Sequence, residues 1–241
     1  MPKLLLFDVD GTLVLTGGAG ERAMNRAFAE LFGIAGGFEG IPMAGRTDPL
    51  IVHDALARAR IDAGDGRVLR FRERYFSLLA EELKVPGPRK GVMPGVRPLL
   101  DLLAARPDSF LALLTGNYAE AARIKLGHFD LWRYFGCGAF GDDAAERAQL
   151  VDVAIHRSRA LGAPEVARRD VIVVGDTPLD VACAKANGVK AVAVATGPCR
   201  AAQLRESGAD VVFEDLSETS AFLAFIDGDA PVQATGPLLD S

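Results

Sequence analysis

Two aspartates spaced two apart, Asp8 and Asp10, end the apolar run Leu4-Leu5-Leu6-Phe7 and are followed at once by Gly11-Thr12. A short continuous apolar run reads as a strand buried on both faces. Side chains two apart on an extended chain point the same way. Both carboxylates can therefore reach one small volume at the strand's carboxyl end, where open α/β sheets place their ligands. Gly11 lets the chain leave the strand sharply. At ~4 Å and an effective dielectric of ~20, two carboxylates repel by roughly 4 kcal/mol, which is costly unless a cation or a reaction needs them there; the alternative is a solvated Asp-Asp-Gly turn. A second run, Val171-Ile172-Val173-Val174-Gly175, ends in Asp176, with Asp180 one helical turn later. These two carboxylates can face the same spot. A third, Leu111-Ala112-Leu113-Leu114, ends in Thr115-Gly116-Asn117 ahead of a helical pattern from Tyr118. A hydroxyl and free backbone N–H groups at a helix N-terminus form an anion site, although Thr115 could instead simply cap that helix.

The elements that must position these groups follow from the rest of the chain. From about residue 91, strand-like runs (Phe110-Leu114, Cys137-Phe140, Val171-Val174, Ala191-Ala195, Asp210-Phe213) alternate with helical spacing at Val96-Ala105, Glu146-Ala160 and Leu179-Asn187. That alternation predicts an α/β fold with a doubly wound parallel sheet and right-handed crossovers. Asn187-Gly188 is placed to end its helix. Residues 15–90 break the rhythm with three helical patterns, about 20–32, 48–60 and 66–84, and no strand between them. Glycines at 17, 18 and 20, and Pro86-Gly87-Pro88 with Gly91, mark the two crossings. The expected organisation is a core of residues 1–14 and 91–227, an inserted all-helical cap of 15–90, and a disordered tail of 228–241 rich in small residues.

Bulk properties narrow the function classes. With 241 residues, 49% hydrophobic, the chain can bury an ordinary core plus a smaller insert. A net charge of −5 with interspersed signs gives no basic stripe for nucleic acid. Cys137, Cys183 and Cys199 have neither disulfide-framework nor zinc spacing. No signal-peptide pattern precedes the first strand, and no apolar run reaches the ~18 residues of a membrane span. The expectation is a cytoplasmic monomer or homodimer with no nucleic-acid or membrane partner.

The segment Asp8-Val9-Asp10-Gly11-Thr12 resembles the DxDGT motif of the haloacid dehalogenase-like hydrolases. Leu111 to Asn117 resembles that family's second motif, and Gly175-Asp176-Thr177-Pro178-Leu179-Asp180 its fourth, GDxxxD. Order and spacing fit over residues 3 to 225. The helical insert is similar to the cap of the phosphoglycolate phosphatase-like branch, and the core to that family's Rossmann-like sheet. The resemblance implies that Asp8 attacks phosphorus and that Asp10 protonates the leaving oxygen and then activates water. Family members that cleave C–Cl or C–P bonds lack an aspartate at the second position, so Asp10 favours a phosphate ester. Three or four carboxylates around a phosphate site are workable only with a cation, and hard oxygen ligands favour Mg²⁺. By resemblance Asp8, the Asp10 backbone carbonyl and Asp176 would hold it, with Asp180 either touching it or one layer out. Asp180 could also merely cap its helix. Thr115, Gly116 and Asn117 would bind the phosphate.

The third motif departs from the common pattern, because no Lys-Pro-x-Pro stretch is present. Arg147, opening the helix after Gly141-Asp142-Asp143, and Lys125, on the helix after Thr115, compete to supply the missing cation. Arg147 is favoured because a side chain at a helix start leans back toward the strand ends, whereas Lys125, two turns into its helix, should be carried away from them. In the cap, Gly45-Arg46-Thr47-Asp48 joins a cation to a helix start. Arg46 could meet a substrate carboxylate or second phosphate, or lie solvated while Thr47 or Asp48 caps the helix. His53, His128 and His156 and the segment around Trp132 read as structural. The implied activity is a Mg²⁺-dependent phosphatase acting on a small phosphorylated metabolite. A phosphosugar mutase like β-phosphoglucomutase, or a non-catalytic relative, would use the same core.

Overall fold

In the computed structural model, residues 1–62, 64, 66–144 and 146–228 are described; the tail expected beyond 228 lies outside them. Six parallel strands form one sheet: β1 (Lys3–Phe7), β4 (Ser109–Leu114), β5 (Cys137–Ala139), β6 (Val171–Gly175), β7 (Lys190–Val194) and β8 (Val211–Phe213). Their spatial order is β5-β4-β1-β6-β7-β8. β1 therefore sits at the point where the winding reverses, and a ligand crevice opens beyond its carboxyl end. Phe7 pairs with Leu113 on one side and Val174 on the other. This register brings the residues after β1, β4 and β6 to one level.

Every residue of β1 is buried, and alternate side chains feed opposite cores. Leu5, Phe7 and Val9 pack with Leu99 and Leu103 of α4 (Val96–Ala104), Leu126 of α5 (Ala119–His128) and Phe222 of α9 (Thr219–Asp227). Leu4 and Leu6 pack with Leu150 of α6 (Leu150–Ala160), Val181 of α7 (Pro178–Ala186) and Leu204 of α8 (Ala201–Glu206). A strand covered on both faces has to be apolar throughout, which is why the run carries no polar alternation. Gly188, at φ 63°, ends α7 as expected.

Between β1 and α4 the chain forms α1 (Ala19–Phe32), α2 (Asp48–Arg58) and α3 (Arg67–Glu82). They share a separate core in which Phe28 meets Phe38 at 5.4 Å and Phe71 at 6.3 Å, both edge to face. Such pairs contribute about 0.5–1.5 kcal/mol each beyond their buried area. The expected helical segments are therefore found. One element was not foreseen: β2 (Val14–Leu15) pairs antiparallel with β3 (Gly91–Val92), so the expected boundaries at 15 and 91 fall inside a ribbon joining the two crossings. Two residues per strand carry no readable periodicity. The ribbon continues into tight packing, in which a Cβ on Gly17 would lie 2.8 Å from the Gly87 Cα.

Candidate active site

The ends of β1, β4 and β6 line a cavity of about 230 Å³ between the sheet and the helices α1–α3. Asp8 lies on its floor, buried. The chain turns immediately afterwards because Gly11 adopts φ 83° and its N–H reaches the Val14 carbonyl at 2.9 Å. Only glycine fits there, since a Cβ would stand 2.3 Å from Asp176 Oδ2. Ligand oxygens of Asp8, Asp176 and Asp180 fall within 4.8 Å of one another. Burial pushes the Asp8 carboxyl up to about 6, partly offset by Arg147 and reinforced by Asp180 and Asp10. Burial, with Asp8 and Asp180 nearby, likewise raises Asp176. A cation bound among them would favour their ionised form.

The three carboxylates are not equivalent. Asp176 Oδ1 accepts from the Thr12 hydroxyl at 3.2 Å, and no hydrogen bond to Oδ2 is found among the described residues. Asp180 is occupied at both oxygens: Oδ2 accepts from the Thr177 N–H at 3.0 Å and its hydroxyl at 2.7 Å, and Oδ1 takes the Arg147 guanidinium. The alternatives open in the sequence thus coincide, since Asp180 caps α7 and also faces the cluster. Asp8 and Asp176, with Asp180 beside them, offer the oxygen donors that fit a hard cation such as Mg²⁺. Asp180 fits the layer behind, orienting Arg147.

Arg147 and Lys125 both reach the site. Arg147 precedes α6 in a single 3₁₀ turn (Arg147–Gln149) and is 3.1 Å from Asp8 Oδ1, while also donating to the Gly45 carbonyl of the helical insert at 3.1 Å. Burial works against its charge, but Asp180 and Asp8 hold its pKa above the ordinary value. Lys125 is not carried away from the strand ends, contrary to the expectation drawn from its place in α5. Its long stem leans toward the helix N-terminus, and Nζ meets Asp10 Oδ2 at 2.6 Å and Asn117 Oδ1 at 2.5 Å. Asn117 Nδ2 donates to Asp10 Oδ2 and to Thr115 Oγ1, each at 2.8 Å. Asp10 is thus held by an amide and an ammonium, and Asp8 by a guanidinium.

Thr115 does not cap α5; Tyr118 occupies that position. The Tyr118 N–H is satisfied by Asp48 Oδ2 at 2.8 Å, and the Ala119 N–H by Asp142 Oδ2 at 2.6 Å. The Asp48 N–H in turn reaches the Gly116 carbonyl at 2.7 Å. Asp48 therefore caps a helix other than its own and docks the insert onto the phosphate-site loop, a role for which its sequence position gave no sign. Thr47 stands at the N-cap of α2 with its hydroxyl buried and unpaired among the described residues. Arg46 lines the cavity, but its guanidinium is taken by Asp54 at 2.6 Å and the Pro42 carbonyl at 2.9 Å. Its charge is thus paired within the insert, while the side chain stays partly exposed at the cavity. Tyr75 of α3 also lines the cavity and was missed, because an aromatic at helical spacing reads as core.

The three cysteines are free, and among the described residues no helix is long and apolar enough to cross a membrane.

The switch point of the parallel sheet gathers carboxylates from two strand ends and a threonine from a third, the arrangement that the resemblance to the haloacid dehalogenase-like hydrolases implies. A family model described as haloacid dehalogenase-like hydrolase matches residues 5–194. A phosphoglycolate phosphatase of Rhodospirillum rubrum is 33% identical over 230 residues, 93% of this chain and 92% of its own. One from Pseudomonas syringae pv. tomato is 28% identical over 217 residues, 90% and 78% respectively. The crystal structure of a hydrolase from Pseudomonas syringae superposes with a TM-score of 0.66 at 21% identity, covering 95% of this chain and all of that one. The chain belongs to the haloacid dehalogenase-like hydrolases, in their phosphoglycolate phosphatase-like branch.

Proposed function

We propose that this hydrolase is a Mg²⁺-dependent phosphatase releasing inorganic phosphate from a small monoester similar to phosphoglycolate. The observation that carries the reading is the Asp8 carboxylate on the cavity floor, 3.1 Å from Arg147 and clustered with Asp176 and Asp180. Asp8 attacks phosphorus; the bond to the ester oxygen breaks, and Asp10 delivers a proton to that leaving oxygen. Asp10 then takes a proton from the water that opens the aspartyl phosphate, which regenerates Asp8 and frees phosphate. Thr115, with the backbone of Gly116 and Asn117, holds the phosphoryl oxygens. Arg147 keeps Asp8 ionised and meets the charge gathering on the phosphoryl group; its buried Nε, unpaired among the described residues, is left to donate. Asp8, Asp176 and the Asp10 carbonyl would hold Mg²⁺, which when bound screens nucleophile from phosphate. Lys125 holds Asp10 instead of taking the third-motif role.

Residues 15–90 act as a cap whose docking by Asp48 and Arg147 excludes water. A pocket of this size admits a metabolite and excludes a polymer, and free cysteines suit the cytoplasm. The test is phosphate release from a panel of small monoesters in Mg²⁺ and after chelation. Release that depends on Mg²⁺ is expected. Conversion of a sugar phosphate to an isomer without phosphate release would identify a mutase instead, and no turnover of any ester would end the reading.

A further inference from the structure

Tyr75 is a buried core side chain whose hydroxyl has no purpose in the fold. Its ring stacks on Phe71 at 6.2 Å and 14°, which any aromatic residue would do. The hydroxyl adds nothing to that packing and has no hydrogen-bond partner among the described residues. A phenol stripped of water without a replacement partner is disfavoured in the free protein, so its retention needs a ligand that completes it. Tyr75 lines the same cavity as Asp8, together with the apolar side chains of Met24, Met43 and Ile51. A point one bond out from the Gly20 Cα lies 3.9 Å from the Tyr75 hydroxyl and 3.7 Å from Lys125 Nζ. A neutral donor and an ammonium therefore flank one small space on the cap side of the phosphate site. Burial, with the nearby carboxylates of Asp48 and Asp10, raises the phenol well above its ordinary pKa, so it stays a donor. Those carboxylates do not take it: Asp48 Oδ2 accepts from Tyr118 and Asp10 Oδ2 from Asn117 and Lys125.

We propose that the Tyr75 hydroxyl is a specificity-determining donor to a carboxylate oxygen on the leaving group of the substrate. The cavity of about 230 Å³, shared with the phosphate site, limits that group to a short one, and a carboxylate has lone pairs enough to face Lys125 as well. The inference rests on the phosphatase reading and deepens it.

The experiment compares wild type and Tyr75→Phe on phosphoglycolate and on ethyl phosphate, which carries a methyl where the carboxylate stands. Wild type should favour phosphoglycolate. The variant should lose about 10- to 100-fold in kcat/KM on phosphoglycolate, mostly through KM, as expected for a hydrogen bond to a charged group, and change little on ethyl phosphate. Its Tm should be equal or higher, since only an unpaired buried hydroxyl is removed; a structural role would lower it. Equal losses on both esters, no loss on either, a lowered Tm, or a wild type that hydrolyses ethyl phosphate but not phosphoglycolate would each overturn the Tyr75 assignment while leaving the phosphatase reading intact. Absence of phosphate release from both esters by wild type would bring down that reading, and this one with it.

Discussion

Replacing Arg147 by methionine removes the guanidinium but keeps most of the stem's volume. In the folded protein the guanidinium is 3.1 Å from Asp8 Oδ1 and pairs with Asp180, its side chain only 9% exposed. At an effective dielectric of ~20, a pair at that distance is worth roughly 5 kcal/mol of attraction. Without it, carboxylates within 4.8 Å of one another repel by roughly 3.5 kcal/mol per pair on the same scale. The cluster relieves this by taking up a proton, which Asp8, already raised to about 6, and Asp176, raised well above its ordinary value, can share. Arg147→Met should therefore lose nucleophile and transition-state stabilisation together, about 3 kcal/mol or ~10²-fold in kcat. Lys125→Met leaves Asp10 its hydrogen bond from Asn117 at 2.8 Å, so about 10-fold is expected there. Arg147→Lys should recover part of the loss by restoring the charge. The assay is phosphate release in saturating Mg²⁺, with Tm confirming that each variant folds. A ~10²-fold loss confined to the lysine variant would refute the assignment.

Two further outcomes follow from the cap. Burial raises the Asp48 carboxyl to about 6 against an unfolded value of 3.8. A raised carboxyl binds its proton more tightly when folded, so it is neutral below pH 3.8, and its burial weakens the fold increasingly as pH rises through 6. Asp48→Asn, whose carbonyl can still accept from Tyr118, should raise stability at pH 7.5 by about 2–3 kcal/mol, with the gain vanishing near pH 4; denaturant titrations at both pH values check this, and a pH-independent effect counts against it. The crossings at 15–20 and 85–91, where Gly17 packs on Gly87, should hinge cap motion around substrate. Scattering profiles with and without a phosphate analogue should differ, and identical profiles would contradict the hinge.

Much of the site was readable because strand ends follow simple rules. Asp8, Asp10, Thr115 and Asp176 each terminate an apolar run, and a parallel sheet brings such ends together whatever the loops between them do. Arg147 was legible from its place at a helix start. Lys125 was misjudged because counting turns ignores the reach of a four-carbon stem leaning toward the helix N-terminus. Asp48 and Tyr75 were beyond reach for a different reason. Their roles depend on how the helical insert docks against β4 and α5, a contact between segments tens of residues apart that leaves no local pattern. The ribbon of Val14–Leu15 with Gly91–Val92 was hidden by its brevity.

The central claim is that Asp8 is the nucleophile. Asp8→Asn keeps the shape of the side chain and relieves the repulsion on the cavity floor, so the variant should fold at least as stably as wild type. Its phosphate release under saturating Mg²⁺ should fall by ~10⁴-fold or more, as expected when a nucleophile is removed outright. Folded Asp8→Asn protein turning over within tenfold of wild type would contradict the account.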